Sequence, residues 1–270
     1  MRTLIRVGLV GCGTIGREIA KACQGSLKDK FRLVSFFDID QTKYARMRKI
    51  CKVRPAGSLE ELVDRSSLIV EAANARVPYL LIKEASRRKK DIMIMSVGGL
   101  IGHRGLLKKA EKSGINVYLP SGAIAGIDAL KSAACSKIDE VILFTRKPPK
   151  GLEGAPYIRS RKIDLKGLKK DKVVFKGSAS DAVKAFPKNI NVSAILSIAG
   201  IGAGRTQVRI IASPGAKRNV HEIIIRGKFG VIKTRTENVP SPYNPKTSYL
   251  AALSAVATLR NIAGMVKIGT

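Results

Sequence analysis

The chain has 270 residues, which suffices for two domains and a buried core without disulfides or a structural metal. Fifty Lys and Arg against 20 Asp and Glu leave a net charge of +30, which attracts anions of many kinds. No secretory signal and no run of roughly 20 apolar residues is visible, so we expect a cytoplasmic protein that does not enter a membrane.

The first 120 residues alternate apolar strands with helices, which predicts an α/β fold built on a Rossmann-type, doubly wound parallel sheet. The predicted strands cover residues 4–10, 33–37, 68–72, 92–96 and 116–119. Five helices are predicted between or after these strands. The first begins near Thr14, the second covers 41–51, and the third starts at the capping pattern Ser58–Glu61. The fourth runs from Pro78 to about Lys89, and the fifth covers 102–113.

The pattern changes after a hinge-like loop of small residues at 121–126 and a following helix. Strand-like runs then dominate, at 140–146, 172–175, 207–212, 220–226 and 229–236, with one helix near 189–199, a rigid turn at 240–245 and an Ala-rich helix at 247–263. This predicts a second, α+β domain of mostly antiparallel sheet at 121–240. We expect residues 1–120 to form the first domain, with the C-terminal segment 241–270 packing back on it.

The segment after the first strand has the pattern G-x-G-x-x-G and opens a helix, with Gly11, Gly13, Thr14, Ile15 and Gly16 as its candidate cofactor-binding residues. In a dinucleotide-binding unit the first Gly makes the tight turn, the second admits the pyrophosphate, and the third lets helix and strand pack closely. The helix N-terminus then offers N–H groups to the phosphates. The motif therefore predicts NAD binding.

Asp38 ends the second strand, 22 residues after Gly16, where a carboxylate binds the adenosine ribose. Its charge would repel a 2′-phosphate and so favours NAD, although Lys43 and Arg46 nearby leave NADP open. The loops after later strands, at Asn74–Ala75, 96–99 and 121–123, are also candidates, because ligands of open α/β sheets bind at the carboxyl edge.

A hydride transfer needs a group that exchanges a proton, and histidine suits neutral pH. The chain has two. His103 lies at the start of a predicted helix, where we expect a surface or capping residue. His221 precedes an alternating strand of the second domain and is the catalytic candidate, with a structural role as the alternative. Lys188, Asn189 and Asn191 start a helix and could either cap it or bind cofactor and substrate.

Several stretches together resemble the archaeal-type L-aspartate dehydrogenase family. They are the glycine loop and residues 71–73, 96–99, 119–126, 186–192, 219–222, 237–242 and 244–248. The resemblance implies oxidation of L-aspartate by NAD(P)⁺ to iminoaspartate, and then oxaloacetate and ammonia. It also implies a homodimer joined through the second domains, and an imine that quinolinate synthase can receive for NAD biosynthesis.

By the same resemblance His221 is the acid/base residue, and Ala123 with either Asn189 or Asn191 contacts the cofactor. Ala73 and Asn74 complete the expected cofactor set. The expected substrate-binding residues are Ser121, Gly122, Lys188 and Thr247. The strong basicity is not required by the family.

Three alternatives remain at this point. The chain could be another Rossmann dehydrogenase, such as homoserine dehydrogenase or dihydrodipicolinate reductase. It could instead be a non-catalytic NAD sensor or a nucleic-acid-binding protein, although aromatic residues make up only 5% of the chain and no DNA-reading helix motif is present. We expect at most loose, salt-dependent attraction to nucleic acid. Four cysteines without a C-x-x-C pair predict reduced thiols and no metal site.

Overall fold

The computed structural model describes residues 3–103, 105–187 and 190–270. The chain divides into two compact units. The first comprises the chain up to Pro120 together with Ala252–Lys267, and the second comprises Ser121–Ala251 with Ile268–Thr270.

The first unit is built on a parallel five-stranded sheet, as predicted. Its strands are β1 (Ile5–Val10), β2 (Phe31–Phe37), β3 (Leu68–Glu71), β4 (Asp91–Ile94) and β5 (Val117–Tyr118). They lie in the order β2-β1-β3-β4-β5, and every pairing is parallel. The order reverses direction at β1, so a crevice opens at the carboxyl ends of β1 and β3, where open α/β sheets bind ligands.

Five helices connect these strands: α1 (Thr14–Gln24), α2 (Tyr44–Arg48), α3 (Leu59–Arg65), α4 (Pro78–Arg87) and α5 (Leu106–Lys112). Ser58 caps α3 as predicted, because its side chain accepts a hydrogen bond from the Glu61 N–H. The predicted helix at 41–51 is shorter, since residues 41–43 form a 3-10 turn before α2 begins.

The prediction of a helix over 102–113 is wrong at its start. Gly102 and Gly105 have φ values of +93° and +82°, which an α-helix cannot contain, so α5 begins only at Leu106. His103 therefore does not start or cap a helix. It is exposed, and its ring stacks on Tyr79 with 4.5 Å between the ring centroids.

The core of the first unit forms where β1 and α1 pack together, with Val7, Leu9 and Ile19 fully buried. Ala255 and Leu259, in the last helix, α10 (Tyr249–Ala263), belong to the same hydrophobic cluster. Burial of each large apolar side chain stabilises the fold by about 1.5–3 kcal/mol. This packing fixes the strand ends from which the loops of the site extend.

The second unit contains a mixed sheet that is mostly antiparallel, as predicted. Its strands are β6 (Ile138–Lys147), β7 (Lys172–Ser178), β8 (Gln207–Ala212), β9 (Asn219–Gly227) and β10 (Gly230–Asn238), in the order β10-β9-β6-β8-β7. Among these pairings only β6 with β8 is parallel. The helices of this unit are α6 (Ile127–Ala133), α7 (Pro156–Ser160), α8 (Ala179–Ala185) and α9 (Asn191–Ala199).

Two features of the second unit differ from the sequence prediction. Helix α8 was not predicted; Ser178 and Asp181 start it with a reciprocal capping box. The predicted rigid turn at 240–245 is a small hairpin of β11 (Pro240–Ser241) and β12 (Asn244–Ser248).

None of the four cysteines is in a disulfide. Cys12, Cys23 and Cys51 are buried, whereas Cys135 is exposed. Burial raises the pKa of Cys12 to about 12, so this thiol of the glycine loop stays protonated and unreactive. Across the described ranges no helix is long and apolar enough to cross a membrane. The same residues contain no cluster of three or more His, Cys, Asp or Glu that could hold a metal.

Candidate functional site

The glycine loop between β1 and α1 has the close backbone packing that its motif predicts. Gly11 has φ +102°, and a Cβ atom there would lie 2.5 Å from the carbonyl oxygen of Ala72. A Cβ atom on Gly16 would lie 2.0 Å from the carbonyl oxygen of Gly11. Side chains at these two positions are therefore excluded by backbone atoms, so the loop can form only with glycine.

Gly13 differs from its two neighbours in the motif. It caps α1 with φ −75°, and a Cβ atom on it would meet no atom within 4 Å. The space above Gly13 is therefore open at the N-terminus of an 11-residue helix. Thr14 is buried and Ile15 half-buried at the first turn of this helix. An open approach to backbone N–H groups at a helix start fits a pyrophosphate.

Asp38 lies at the end of β2 and is directly bonded to the glycine loop. Its Oδ2 accepts a hydrogen bond of 2.8 Å from the Cys12 N–H, and its Oδ1 accepts one of 2.9 Å from the Asp40 N–H. The Lys43 ammonium lies 3.1 Å from Oδ1. The carboxylate thus holds the loop against the end of β2, and Lys43 offsets part of its negative charge.

Glu71 fixes the loop that follows β3. This fully buried carboxylate accepts hydrogen bonds from the Ala73 N–H at 2.7 Å and from the Ser96 N–H and hydroxyl, both at 2.9 Å. Burial raises its pKa, and these three donors oppose that effect. Glu71 therefore ties the ends of β3 and β4 together. Ala73 and Asn74 are exposed on the loop it holds, and Asn74 Oδ1 accepts a hydrogen bond from the Arg76 N–H.

His221 lies in β9 of the second unit and is 5% exposed. Thr145 in β6 is its direct cross-strand partner, and 3.1 Å separates the Thr145 hydroxyl oxygen from His221 Nδ1. Burial first, and then the charge of Lys147, lower the pKa of His221 to about 3. The imidazole is therefore neutral at physiological pH, with Nδ1 bonded and its orientation fixed.

The loop at 121–126 is bonded to the same part of this sheet. The Ala123 carbonyl oxygen accepts hydrogen bonds from Asn238 Nδ2 at 2.9 Å and from the Thr236 hydroxyl at 3.2 Å. Thr236 is the partner of His221 across the β9–β10 pairing. The second unit thus brings Ala123, predicted to contact cofactor, close to the predicted acid/base residue. Ser121 and Gly122 precede Ala123 and are half-buried.

Two family models match the chain along its length. One, described as "Homoserine dehydrogenase, NAD binding domain", matches residues 11–120. The other, described as "Aspartate dehydrogenase, C-terminal", matches residues 128–262. L-aspartate dehydrogenases from Methanosarcina barkeri and Methanosarcina acetivorans are 44% and 46% identical to it, over 99% of this chain and 100% of theirs. The chain belongs to the aspartate dehydrogenase family.

Solved structures agree with this assignment. A crystal structure of aspartate dehydrogenase from Thermotoga maritima superposes with a TM-score of 0.72 at 25% identity, over 99% of this chain and 100% of that one. A myo-inositol 2-dehydrogenase from Lactobacillus plantarum superposes with a TM-score of 0.58 at 11% identity, which reflects a shared fold. The NAD-binding domain and the family together identify this aspartate dehydrogenase homologue as a nicotinamide-dependent enzyme.

The structure says less about the remaining predicted site residues of this family member. Lys188 and Asn189 lie outside the described residues. Asn191 is exposed at the first position of α9, and Thr247 is half-buried in β12. Roles for both stay predictions.

Sequence reasoning missed the polar residues that surround His221. Thr145 and Thr236 contact it or its backbone, and Asn238 anchors Ala123. The role of Glu71 in holding the loops after β3 and β4 was also missed. The sequence did carry a signal for it, because the apolar strand Leu68–Glu71 ends in an acidic residue. A carboxylate at the end of a buried strand needs several hydrogen-bond donors.

Proposed function

We propose that this protein is an L-aspartate dehydrogenase that uses NAD to deaminate L-aspartate oxidatively. The observation that carries the proposal is the full-length relationship to L-aspartate dehydrogenases, at 44% identity over 99% of the chain. The reaction converts L-aspartate, NAD⁺ and water into oxaloacetate, ammonium, NADH and a proton. The imine iminoaspartate is its intermediate.

The proposed chemistry gives His221 the proton transfers. A bound nicotinamide would supply the acceptor for the hydride of the substrate Cα, and loss of that hydride would convert the Cα–N bond into C=N. Water then adds to the imine carbon, and the amine departs as ammonia. In this proposal the Nδ1–H of neutral His221 donates a hydrogen bond to the Thr145 hydroxyl, so Nε2 carries the lone pair. Nε2 then accepts a proton from the attacking water and returns it to the departing amine. Because burial lowers its pKa, His221 is unprotonated at neutral pH and so is available as a proton acceptor.

The proposed cofactor site follows from the shape of the glycine loop. Gly11, Gly13 and Gly16 would let the pyrophosphate approach the amides of Thr14 and Ile15. Asp38 would bind the ribose, with Ala73, Asn74 and Ala123 contacting the rest of the cofactor together with Asn189 or Asn191. NAD is favoured over NADP because the Asp38 carboxylate repels a 2′-phosphate, and Lys43 at 3.1 Å weakens that repulsion. For the dicarboxylate we propose Ser121, Gly122, Lys188 and Thr247.

We also propose that the protein is a homodimer joined through the sheet of the second unit. One face of this sheet carries mixed apolar and charged side chains, among them the half-buried Phe144 and Ile224 and the exposed Arg235. Part of its charge is paired, since Arg235 lies 2.5 Å from Glu222, and the Arg209 guanidinium lies over the Phe144 ring. A sheet face that is partly apolar and partly charge-paired suits a second copy of itself.

Analytical ultracentrifugation tests this association. The wild type should sediment as a dimer, and Ile224→Glu should sediment as a monomer because the substitution places an unpaired charge on the face. Ile268→Glu is the matched control, since Ile268 is 90% exposed elsewhere. A monomeric wild type, or a dimeric Ile224→Glu variant, would contradict the proposed interface.

Enzyme assays test the reaction. Purified protein should oxidise NADH when given oxaloacetate and ammonia, and should be far less active with aspartate semialdehyde. The reverse preference would favour a homoserine dehydrogenase. Cofactor binding without turnover of either substrate would favour a non-catalytic NAD-binding protein. In a cytoplasm that makes NAD, the iminoaspartate product could pass to quinolinate synthase, and quinolinate formation in a coupled assay with that enzyme tests the transfer.

A further inference from the structure

Three side chains of β10 contact the loop at 121–126 from one face of the sheet. Thr234, Thr236 and Asn238 occupy alternate positions of this strand, so they project to the same side. His221 is directly opposite Thr236 in β9, and directly opposed residues of an antiparallel pair share a face. The three side chains therefore lie on the face of the sheet that carries the imidazole.

Thr236 links the histidine to the loop through a single hydroxyl group. Its Oγ1 lies 3.2 Å from the Ala123 carbonyl oxygen and 3.4 Å from the His221 carbonyl oxygen. The hydroxyl proton is therefore shared between two backbone acceptors in a three-centre arrangement. One side-chain atom thus sets the distance between the backbone of the proposed acid/base residue and the backbone of the loop.

Asn238 adds a second donor to the same carbonyl group of the loop. Its Nδ2 donates a hydrogen bond of 2.9 Å to the Ala123 oxygen. Asn238 is 3% exposed, and its Oδ1 has no hydrogen-bond partner among the described residues. An unpaired buried oxygen costs free energy that a leucine of similar shape would avoid. The bond to the loop therefore explains an asparagine at this position, whereas packing alone does not.

Thr234 holds the far end of the loop. Its hydroxyl donates a hydrogen bond of 3.2 Å to the Ala125 carbonyl oxygen. Gly126 follows with φ +91°, and a Cβ atom on it would lie 2.8 Å from Thr234 Cγ2. Helix α6 begins at the next residue. The loop is therefore bonded to β10 at two of its carbonyl groups and packs closely against the strand before it enters the helix.

We propose that Thr236 and Asn238 are positioning residues that bind the Ala123 carbonyl group and so hold the loop at 121–126 at a fixed distance from the His221 imidazole. This inference rests on the proposed function, because that function assigns ligand contacts to the loop and the proton transfers to His221. A displacement of about 1 Å between reacting groups can lower a rate about 10²-fold. The two residues thus act on alignment and leave the chemistry to the imidazole.

A double-mutant cycle tests this role. Thr236→Val removes the hydroxyl and Asn238→Leu removes the amide, so each single variant leaves the Ala123 carbonyl one of its two donors, and the double variant leaves it neither. Thr206→Val is the matched control, because the buried Thr206 hydroxyl also donates to a loop carbonyl of the second unit, that of Gly202. Should the double variant fail to fold by circular dichroism, Thr236→Val combined with Asn238→Ala replaces it.

We expect each single substitution to lower kcat about threefold and the double substitution to lower it about 10²-fold. The combined loss exceeds the product of the single losses because the two donors share one acceptor. The NADH Kd should stay within about twofold, since the glycine loop is untouched. Thr236→Ser should restore most of the rate, and Thr206→Val should resemble the wild type. An unchanged kcat in the folded double variant, or an equal loss in the control, would overturn the assignment.

Amide hydrogen exchange separates this inference from the proposed function, because it needs no turnover. Mass spectrometry of the peptide that covers residues 121–126 should show faster exchange in the double variant than in the wild type or Thr206→Val. An inactive wild type would refute the proposed reaction, whereas unchanged exchange in the double variant would refute the hold on the loop. Faster exchange with an unchanged kcat would also reject the positioning role, since the reaction would then tolerate a loose loop.

Discussion

The glycine loop of the first unit and the His221 cluster of the second are built in opposite ways. The loop consists of residues close in sequence, and its shape comes from backbone atoms packed against Gly11 and Gly16. The cluster consists of side chains from separate strands, and Thr145 and His221 are 76 positions apart in the sequence. The loop thus depends on the absence of side chains at its glycines, whereas the cluster depends on polar side chains buried in a sheet. Substitutions in the two regions should therefore affect the protein in different ways.

Removing the imidazole should have the largest effect. We expect His221→Gln to lower kcat by about 10² to 10⁴ because the acid/base group is lost. The Kd for NADH, measured by fluorescence titration, should stay within twofold, since the glycine loop is untouched. Unchanged turnover in this variant would remove His221 from the proton transfers.

The second-largest effect should come from two alanine substitutions within the glycine loop. Gly13→Ala should fold normally, because its Cβ would meet no protein atom within 4 Å. It should nevertheless weaken NADH binding about 10²-fold, since the methyl group occupies the approach of the pyrophosphate. Gly16→Ala should instead destabilise the fold by about 1–3 kcal/mol, because its Cβ would lie 2.0 Å from a carbonyl oxygen.

Thermal unfolding and titration measure these two properties separately. If Gly13→Ala bound NADH as tightly as the wild type, the space above this residue would not be the pyrophosphate site. A Gly16→Ala variant with an unchanged Tm would show that the loop can adjust, and the contrast between the two regions would then be weaker than described.

Acid should destabilise the second unit through His221. Its pKa is about 3 when folded and 6.5 ordinarily, so between these values the unfolded chain binds more protons. Stability therefore falls as the pH drops through that window, by about 1.4 kcal/mol per pH unit, a tenfold change in the unfolding equilibrium. Urea unfolding from pH 7 to pH 4 measures this slope. His221→Gln should remove the contribution, and an identical slope in the variant would assign acid sensitivity to other groups.

The smallest effect concerns the orientation of the histidine. Thr145→Val keeps the shape of the side chain and removes the hydroxyl that bonds to His221 Nδ1. We expect kcat to fall about fivefold, which is the usual weight of one neutral hydrogen bond. Thr145→Ser should restore most of the rate because it returns the hydroxyl. Equal rates for Thr145→Val and the wild type would show that burial alone orients the ring.

The sequence predicted those parts of the fold whose signals are local. The apolar run of β8 was placed to the residue, and the motif placed the start of α1 at Thr14. The start of α5 was wrong because helical periodicity does not register two glycines with positive φ. Helix α8 was missed because it is short and its only strong signal is the cap at Ser178.

The candidate site was predictable to a similar extent. His221 stood out because the chain has two histidines and a family motif surrounds one of them. Lys147 did not stand out among so many basic residues, since its buried surroundings are formed by two distant strands, β6 and β8, and the segments that cover them. The spacing between Gly16 and Asp38 also could not reveal that the Asp38 carboxylate oxygens already accept hydrogen bonds from the Cys12 and Asp40 N–H groups. Such contacts arise only when distant segments pack.

The uneven exposure of the cysteines has a practical consequence. Because Cys135 is exposed while the other three thiols are buried, a maleimide dye should attach at a single point on each native chain. Mixed donor-labelled and acceptor-labelled samples would then report association between chains by energy transfer, without engineered attachment sites. Cys135 thus provides a single labelling site with which exchange between subunits can be followed in real time.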